Sequence, residues 1–471
     1  MKSILKAFSV IALAGAFVLP VMADDTDSTT DAKDTKDLKK VIEDQGINYV
    51  ETAQKGITLS GYVDVSYTNQ FAGRGQEFDQ SSNTGNQHSI RSFDNNADGF
   101  NVQAVKIALE KALPDKNEWA AGFRVDAILG SDARNLGDSA FGNSSSSSSS
   151  SRVSTSYPIA LEQALVKARI PVGNGLDIYA GKFVTFLGYE VIESPANLNF
   201  SRGLLFTALD PLTHTGVYAD YKFNDTVEAK FGVVDSITPN STSSAANAQG
   251  GTYGSDRQND YPFGGKAITG QVNVTAPGKN ANVCTSFIYS PSGQDGWHDN
   301  GPQFDGDIWG NWNPTFVKDS ALTLGFDISY DYVGDTGTPT YQQGVPYYYR
   351  TPNEGGAGSS AEGVALYASY KLSKVVTLSA RGEYVHGDSR GTQYYNNGTV
   401  FGNGGYYNTS TGRFDAGSSN AFSETLTVAF NIWDNLLTRA EYRLDDIDGN
   451  AYGDGKSHVE NEVSLEAVYS F

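Results

Sequence analysis

The stretch WAAGFRVDAIL, from Trp119 to Leu129, shows the pattern that decides the fold. Apolar side chains occupy every second position, and Arg124 and Asp126 stand between them. Successive side chains of a β-strand point to opposite faces, so this period of two predicts a strand with one apolar and one polar face. The same alternation recurs as far as EVSLEAVYSF at residues 462–471. The chain is therefore predicted to be all-β from residue 57 onward.

The connections between the predicted strands alternate strictly in length. The short ones are Leu113–Asn117, Pro171–Gly175, Asn224–Asp225, Ala276–Asn280, Lys318–Ser320, Leu372–Lys374 and Trp433–Asn435. The long ones lie near residues 70–99, 131–157, 185–212, 237–263, 291–303, 334–360, 388–419 and 447–457. Short periplasmic turns and long external loops are typical of a transmembrane antiparallel up-and-down β-barrel, here with about sixteen strands. Unpaired backbone groups are costly in hydrocarbon, so the first and last strands are expected to pair and close the barrel.

The N-terminal part of the chain predicts processing and a separate leader. Lys2 and Lys6 flank the start of an apolar run, and small residues before and at Ala23 offer a cleavage site, so residues 1–23 are predicted to be a signal peptide. A membrane anchor is the alternative, but the run is shorter than the roughly 20 residues of a spanning helix. Residues 24–56 predict an acidic periplasmic leader, disordered or a short helix, and residues 57–471 the barrel.

Composition argues against several classes of function. The chain has 34 Lys and Arg against 54 Asp and Glu, a net charge of −20, and loss of two lysines with the signal peptide makes it −22. Nucleic acid needs a basic surface, so it is not an expected partner. Cys284 is the single cysteine and is expected to be buried; it permits neither an intramolecular disulfide nor a thiolate metal site. Five scattered histidines lack metal-ligand spacing, and no serine motif marks a catalytic triad. We therefore predict no enzyme, no metal and no cofactor.

Several short motifs between residues 176 and 221 are similar to those of a known family. They are YAGKF at 179–183, GYE at 188–190, NFSR at 199–202, Pro211 and HTGVY at 214–218. In these the chain resembles the OmpL-like family of outer-membrane β-barrel porins, and its final VYSF looks like the aromatic assembly signal of outer-membrane proteins. The resemblance implies a channel in a Gram-negative outer membrane without naming its solute. Analogy with other sixteen-stranded porins also favours a homotrimer.

The polar faces of the strands predict a water-filled lumen, because a barrel of sixteen strands is wide enough to leave a channel. Charges of both signs fall on these faces. The predicted pore-lining residues are Asp64, Arg124, Asp126, Lys167, Arg169, Lys230, Asp327, Arg381, Glu383, Arg439, Glu441 and Arg443. The alternative for each residue is a charge that pairs with a neighbouring strand and stabilises the wall.

The connection at residues 185–212 carries more apolar residues than an exposed loop usually does, among them Phe186 and Leu204. A loop folded back against the inner wall would account for them, and the third external loop forms the constriction in many general porins. We predict this role here, with Glu190, Glu193 and Arg202 as the charged residues of the constriction. The alternative is a loop that packs on a neighbouring subunit.

The sequence thus favours passive diffusion of small hydrophilic solutes or ions through a barrel surrounded by outer-membrane lipid. The net charge favours a weak preference for cations. Two alternatives remain at this point. One is a structural or surface-adhesion barrel whose lumen is blocked and whose loops are functional. The other is a soluble secreted β-sandwich.

Overall fold

The computed structural model describes residues 56–71, 91, 93–94, 98–136, 159–235, 266–291, 302–317, 321–333, 359–388, 406–408, 413–415, 418–447 and 457–471. The predicted signal peptide and all but the last residue of the predicted leader lie outside these ranges, so both stay predictions. The same holds for large parts of seven of the eight long connections.

Sixteen strands form one closed antiparallel barrel. They are β1 (Ile57–Gln70), β2 (Asp98–Lys111), β3 (Ala120–Leu129), β4 (Ile159–Ile170), β5 (Leu176–Val184), β6 (Thr213–Lys222), β7 (Val227–Val234), β8 (Ala267–Thr275), β9 (Ala281–Ser290), β10 (Gln303–Trp312), β11 (Leu322–Val333), β12 (Ser359–Lys371), β13 (Val376–Asp388), β16 (Ser418–Trp433), β17 (Leu436–Ile447) and β18 (Val459–Ser470). Two short strands between β13 and β16, β14 (Tyr406–Asn408) and β15 (Arg413–Asp415), pair only with each other. The predicted barrel is confirmed, and the soluble sandwich is wrong because a single sheet closes on itself.

Closure joins the first strand to the last. β1 pairs with β18 from Tyr62 opposite Ser470 to Gln70 opposite Glu462. At the end of this seam, Gly61 and Phe471 exchange both backbone hydrogen bonds, each 2.9 Å long. The expected pairing of the chain's two outermost strands is confirmed, and the barrel is left without an open edge.

The two faces of the wall differ as the period of two predicts. On β1, Val63 and Val65 are exposed on the outside, whereas Asp64 and Ser66 between them are buried inside. Other exposed apolar side chains of the strands include Ile107, Leu109, Val125, Phe231, Ile328, Leu426 and Leu465. An apolar outer surface around a polar interior is the arrangement expected of a barrel in a lipid bilayer.

Helical structure in the described residues is limited to short segments. Two 3₁₀ segments span Ser131–Leu136 and Ser194–Ala196, and one α-helix, α1, spans Leu204–Ala208. None of the helical segments in these ranges is long and apolar enough to cross a membrane. The segments Ser194–Ala196 and α1 both belong to the connection between β5 and β6.

Some strand boundaries differ from the predicted ones. The predicted connections at 291–303 and 318–320 leave a tenth strand over residues 304–317, but β10 ends at Trp312. Pro314, which has no amide hydrogen to donate, lies beyond the strand end. The turns at 171–175 and 276–280 and the long connection at 185–212 coincide with their predicted bounds. Cys284, as expected, is buried, with 1% of its surface exposed.

Candidate functional site

The connection between β5 and β6, residues 185–212, lies inside the barrel, and we call it the lumen loop. Its apolar side chains are buried against the wall rather than exposed. Leu205 and Leu209 pack with Ala365 of β12 and Val385 of β13. Small residues occupy the inner face of β12 at this point, and a Cβ at Gly363 would come within 3.1 Å of Leu205. The inner wall is thus shaped to receive α1.

The lumen loop reaches the far side of the barrel. β13 stands eight strands from β5 in either direction around the ring of sixteen. Arg381 of β13 nevertheless lies 2.6 Å from the carboxylate of Glu190 on the loop, and it donates a hydrogen bond to the carbonyl of Ser201 at 2.6 Å. Glu190 also accepts a hydrogen bond from the backbone of Gly203. The loop therefore crosses the lumen and is attached to the opposite wall.

A second attachment involves the inner faces of β17 and β18. Arg439 donates hydrogen bonds to the carbonyl groups of Asn197 (2.8 Å) and Ser194 (2.9 Å), and its own counter-charge is Glu466. Side-chain charges of the wall thereby satisfy backbone groups of the irregular loop. This matters because a buried, unpaired backbone group costs free energy comparable to a lost hydrogen bond.

Glu441 of β17 satisfies loop amides in the same way. Its carboxylate accepts hydrogen bonds from the backbone of Phe200 at 2.7 Å and Ser201 at 3.0 Å. On β13, Glu383 accepts one from the backbone of Leu205 at 3.2 Å. Carboxylates that accept backbone hydrogen bonds are among the stronger hydrogen-bonding partners in proteins. The glutamates of the predicted pore-lining set thus hold the loop.

Arginine and carboxylate groups from distant parts of the chain surround Arg202. Arg91 donates a hydrogen bond to the carbonyl of Arg202 at 2.7 Å and pairs with Asp445 at 2.6 Å. Arg443 pairs with Asp445 as well. Asp132 lies 3.5 Å from the guanidinium of Arg202. Arg202 is therefore a buried structural cation with several partners.

Burial changes the pKa of the acidic groups in and beside the loop. It raises the pKa of Asp132 to about 7, although Arg202 favours the ionised carboxylate. Burial also raises the pKa of Glu190, again against the effect of a neighbouring arginine, Arg381. At Glu193 the pKa is lowered: burial acts to raise it, but the ammonium of Lys106, 2.5 Å away, and a backbone hydrogen bond together outweigh burial.

The predicted site residues fall into two groups in the structure. Among the predicted constriction residues, Glu190 and Arg202 are buried and Glu193 is partly exposed. In the pore-lining set, Asp64, Asp126, Asp327, Arg381, Glu383, Arg439, Glu441 and Arg443 are buried, whereas Arg124, Lys167, Arg169 and Lys230 are partly exposed. The partly exposed residues lie on β3, β4 and β7. The buried arginines lie under or beside the lumen loop.

Sequence reasoning missed several residues of this network. Arg91 and Asp132 lie in connections, where no periodicity indicates which side chains turn inward. Asp305 and Asp307 lie on β10, where Gly306 and Gly310 interrupt the outward apolar residues Phe304, Ile308 and Trp312 and weaken the alternation. Asp445 could have been predicted by extending the alternation of β17 two residues beyond Arg443.

Part of the lumen remains open on the turn side of the loop. A cavity of about 480 Å³ is lined by the aromatic rings of Tyr189, Trp309 and Tyr367 and by the amide groups of Asn273, Asn282 and Asn311, among others. Tyr189 of the loop contacts both other rings, with centroids 4.4 Å from Tyr367 and 5.9 Å from Trp309. Neutral amides and aromatic edges therefore dominate this part of the interior.

The chain is similar in sequence to one family and in fold to several solved structures. The family model described as "Putative beta-barrel porin-2, OmpL-like" matches residues 56–471. No curated protein matches the chain.

Three solved structures share the fold at low identity. OprB of Pseudomonas putida has 11% identity and a TM-score of 0.52, covering 93% of this chain and 97% of its own. The outer membrane channel DcaP of Acinetobacter baumannii has 14% identity and a TM-score of 0.50, covering 88% and 97%. An anion-selective porin from Comamonas acidovorans has 12% identity and a TM-score of 0.50, covering 88% and 99%. Since the family match spans the whole closed barrel, the chain belongs to the OmpL-like β-barrel porin family.

Proposed function

We propose that this protein is a diffusion porin of the bacterial outer membrane, through which small hydrophilic solutes or ions pass without catalysis. The observation that carries the proposal is the inversion of polarity across the wall of a closed sixteen-stranded barrel. Its outer side chains suit contact with lipid, and its inner ones suit contact with water. Membership of a porin family supports the same class of function.

We further propose that the lumen loop is the constriction. Its attachment to β13, on the far side of the barrel from β5, supports this role. Glu190 and Arg202 would then hold the loop in place, while Glu193, which is partly exposed, would face the solute. Among the pore-lining residues, Arg124, Lys167, Arg169 and Lys230 would meet permeating ions, and the buried members would support the wall and the loop.

One observation favours the second candidate, a structural or adhesion barrel with a blocked lumen. The same loop that would narrow a channel could close it, because it is fixed to the wall on several sides. In that case the external loops would carry the function and the barrel would serve as their support.

Ion conductance of the detergent-folded protein in a planar bilayer tests both candidates. A diffusion porin gives large, steady steps, and their reversal potential in a salt gradient shows whether cations are preferred. A variant in which residues 191–202 are replaced by a short Gly-Ser linker should conduct more than the wild type. A matched control removes twelve residues from 238–249, in the connection between β7 and β8, and should conduct as the wild type does.

The outcomes are distinct. If the linker variant conducts ions and the wild type does not, the barrel is blocked and the second candidate is supported. If none of the three proteins conducts ions, although circular dichroism verifies their β-structure, the proposed porin function is contradicted.

The remaining parts of the proposal concern processing and assembly. We propose that residues 1–23 are removed near Ala23 and that residues 24–56 remain on the periplasmic side. Mass spectrometry of protein purified from outer membranes reads the cleavage point directly. We also propose a homotrimer, for which light scattering in detergent should give three chains per particle.

A further inference from the structure

The inner face of β10 and β11 carries four aspartates in close register. Asp305 and Asp331 stand directly opposite each other, and Asp307 and Asp327 follow along the two strands. All four are buried, with no more than 6% of their surface exposed. Like charges directly opposite on paired strands are destabilising. Within the described ranges, no basic side chain lies within 4.0 Å of any of these carboxylates.

A fifth carboxylate comes from the lumen loop. Asp210 is 1% exposed, and neither of its carboxylate oxygens has a hydrogen-bond partner. Burial and the nearby charges of Asp327, Asp307 and Asp305 raise its pKa well above the ordinary value. A Cβ on Gly188 would collide with the carboxylate of Asp210, and the amide of Gly188 donates a hydrogen bond to Asp307, so Asp210 lies beside the aspartates of the wall.

Hydrogen-bond donors of the protein reach only some of the carboxylate oxygens in this acidic cluster. Asp307 accepts a hydrogen bond from the backbone of Gly188 and Asp327 one from the backbone of Tyr189, both at 2.8 Å. One oxygen of Asp305 and one of Asp307 remain without a partner, as do both oxygens of Asp210. An uncompensated buried charge costs several kcal/mol, on the order of magnitude found for broken buried ion pairs. Such groups are stable only if they bind protons or if positive charge is supplied from elsewhere.

In a second acidic cluster, a basic side chain of the protein supplies the positive charge. Asp126, Glu162 and Glu193 bring three carboxylate oxygens within 4.8 Å of one another. The ammonium of Lys106 lies among them, at 3.1, 2.6 and 2.5 Å. Lys106 thus pairs with all three carboxylates and occupies the position that a metal ion would take among them. Around Asp210, by contrast, the described residues offer backbone amides but no ammonium or guanidinium group.

We propose that a hydrated divalent cation of the calcium type binds between Asp210, Asp307 and Asp327, which meet at Gly188 and Tyr189 of the lumen loop, with Asp305 and Asp331 adding negative charge around it. Such ions take roughly six to eight oxygen ligands, commonly carboxylates completed by water. Among the described residues, no three of these aspartates bring carboxylate oxygens within 4.8 Å of one another, so water would complete the coordination of the ion. The ion would join the lumen loop to β10 and β11. The site does not depend on the proposed function, since binding is measurable whether or not the barrel conducts.

Terbium luminescence tests the site in the detergent-folded protein after treatment with a chelator. Trp309 is the register partner of Asp327 and should sensitise emission from a bound terbium ion. We expect saturable emission with one ion per chain, displaced by calcium but not by sodium at equal ionic strength. D210N and D305N should each weaken binding at least tenfold. The matched control is D220N, which changes an inner-wall aspartate of β6 that stands opposite Lys230, and it should bind as the wild type does.

Thermal unfolding of the unmodified protein gives a second measurement that needs no variant. Calcium should raise the unfolding temperature relative to a chelator at matched ionic strength, and in D210N this rise should vanish. The proposal is overturned if the wild type neither sensitises terbium nor gains stability from calcium, which would mean that the carboxyl groups are protonated instead. It is also overturned if D210N and D305N bind terbium as D220N does. A protein that binds calcium but does not conduct ions would support the calcium site and contradict the proposed porin function.

Discussion

The carboxylate of Glu190 and the guanidinium of Arg381 lie 2.6 Å apart, across the full width of the barrel from the strand that leads into the lumen loop. Both side chains are buried. Breaking a buried pair leaves one charge uncompensated, so E190Q should lower the free energy of unfolding by about 3 kcal/mol. Urea unfolding in detergent, followed by circular dichroism, measures this loss.

A surface ion pair provides the control for Glu190. Lys222 and Asp225 are 3.5 Å apart at the turn side of the barrel and largely exposed. K222Q should change stability by less than about 1 kcal/mol, as exposed pairs usually do. If E190Q proves no more costly than K222Q, the Glu190–Arg381 pair does not anchor the loop.

The partly exposed basic side chains should set ion selectivity. K167Q and K230Q each remove a positive charge from the inner wall, and the ratio of cation to anion permeability should rise on the order of twofold. A charge screened by 0.1 M salt changes the local energy of an ion by less than about 1 kcal/mol, which limits the effect. Reversal potentials in a salt gradient measure it. K222Q, at the turn side, should leave the ratio unchanged, and an equal effect of all three would assign selectivity to net charge alone.

The raised pKa of Asp132 predicts a pH dependence of stability. Burial raises this pKa to about 7, and its unfolded value is near 3.8. Because the folded state favours the protonated form, the contribution to stability is complete below about pH 4 and is lost as the pH rises through 7. The wild type should therefore lose more stability than D132N between pH 4.5 and pH 8. Thermal unfolding at the two pH values compares them, and parallel losses in both proteins would argue against a raised pKa.

Gly188 and Gly56 allow backbone strain to be separated from packing. Both have positive φ, +89° and +92°, so alanine at either position should cost about 1 kcal/mol for the left-handed conformation. A Cβ at Gly188 would collide with the carboxylate of Asp210, whereas one at Gly56 would meet nothing within 4 Å. G188A should therefore be more destabilising than G56A by roughly 1–3 kcal/mol in urea unfolding. Equal losses would show that the loop moves away from Asp210 at little cost.

Periodicity predicted the wall of the barrel well, because alternation is a local property of each strand. Val63 and Val65 on one face and Asp64 on the other follow directly from it, as does the pairing of the outermost strands. The lumen loop was predicted by composition, since its apolar residues required a buried surface. On β10, Gly306 and Gly310 interrupt the outward apolar residues, so the alternation is weak there and two inner aspartates were overlooked.

The partners within the lumen could not be predicted, because their contacts link distant parts of the chain. Arg91 and Asp445, which pair at 2.6 Å, are 354 residues apart in sequence. No local pattern contains that information. Sequence reasoning therefore identified many of the inward-facing charges, but it could not distinguish Arg124, which is partly exposed, from Arg443, which is buried by its partners.

The lumen loop also has a consequence for the kinetics of folding. Its hydrogen bonds to the far wall join residues 178 positions apart for Leu205 and Glu383, and 245 apart for Ser194 and Arg439. Contacts this remote in sequence slow folding, because the intervening chain must be ordered before they can form. β-Structure measured in the far ultraviolet should accordingly develop before the near-ultraviolet signal of Tyr189 packed on Tyr367. If the loop attaches last, a refolding protein passes through a barrel whose lumen is not yet crossed by the loop, and this transient species should conduct more than the native protein.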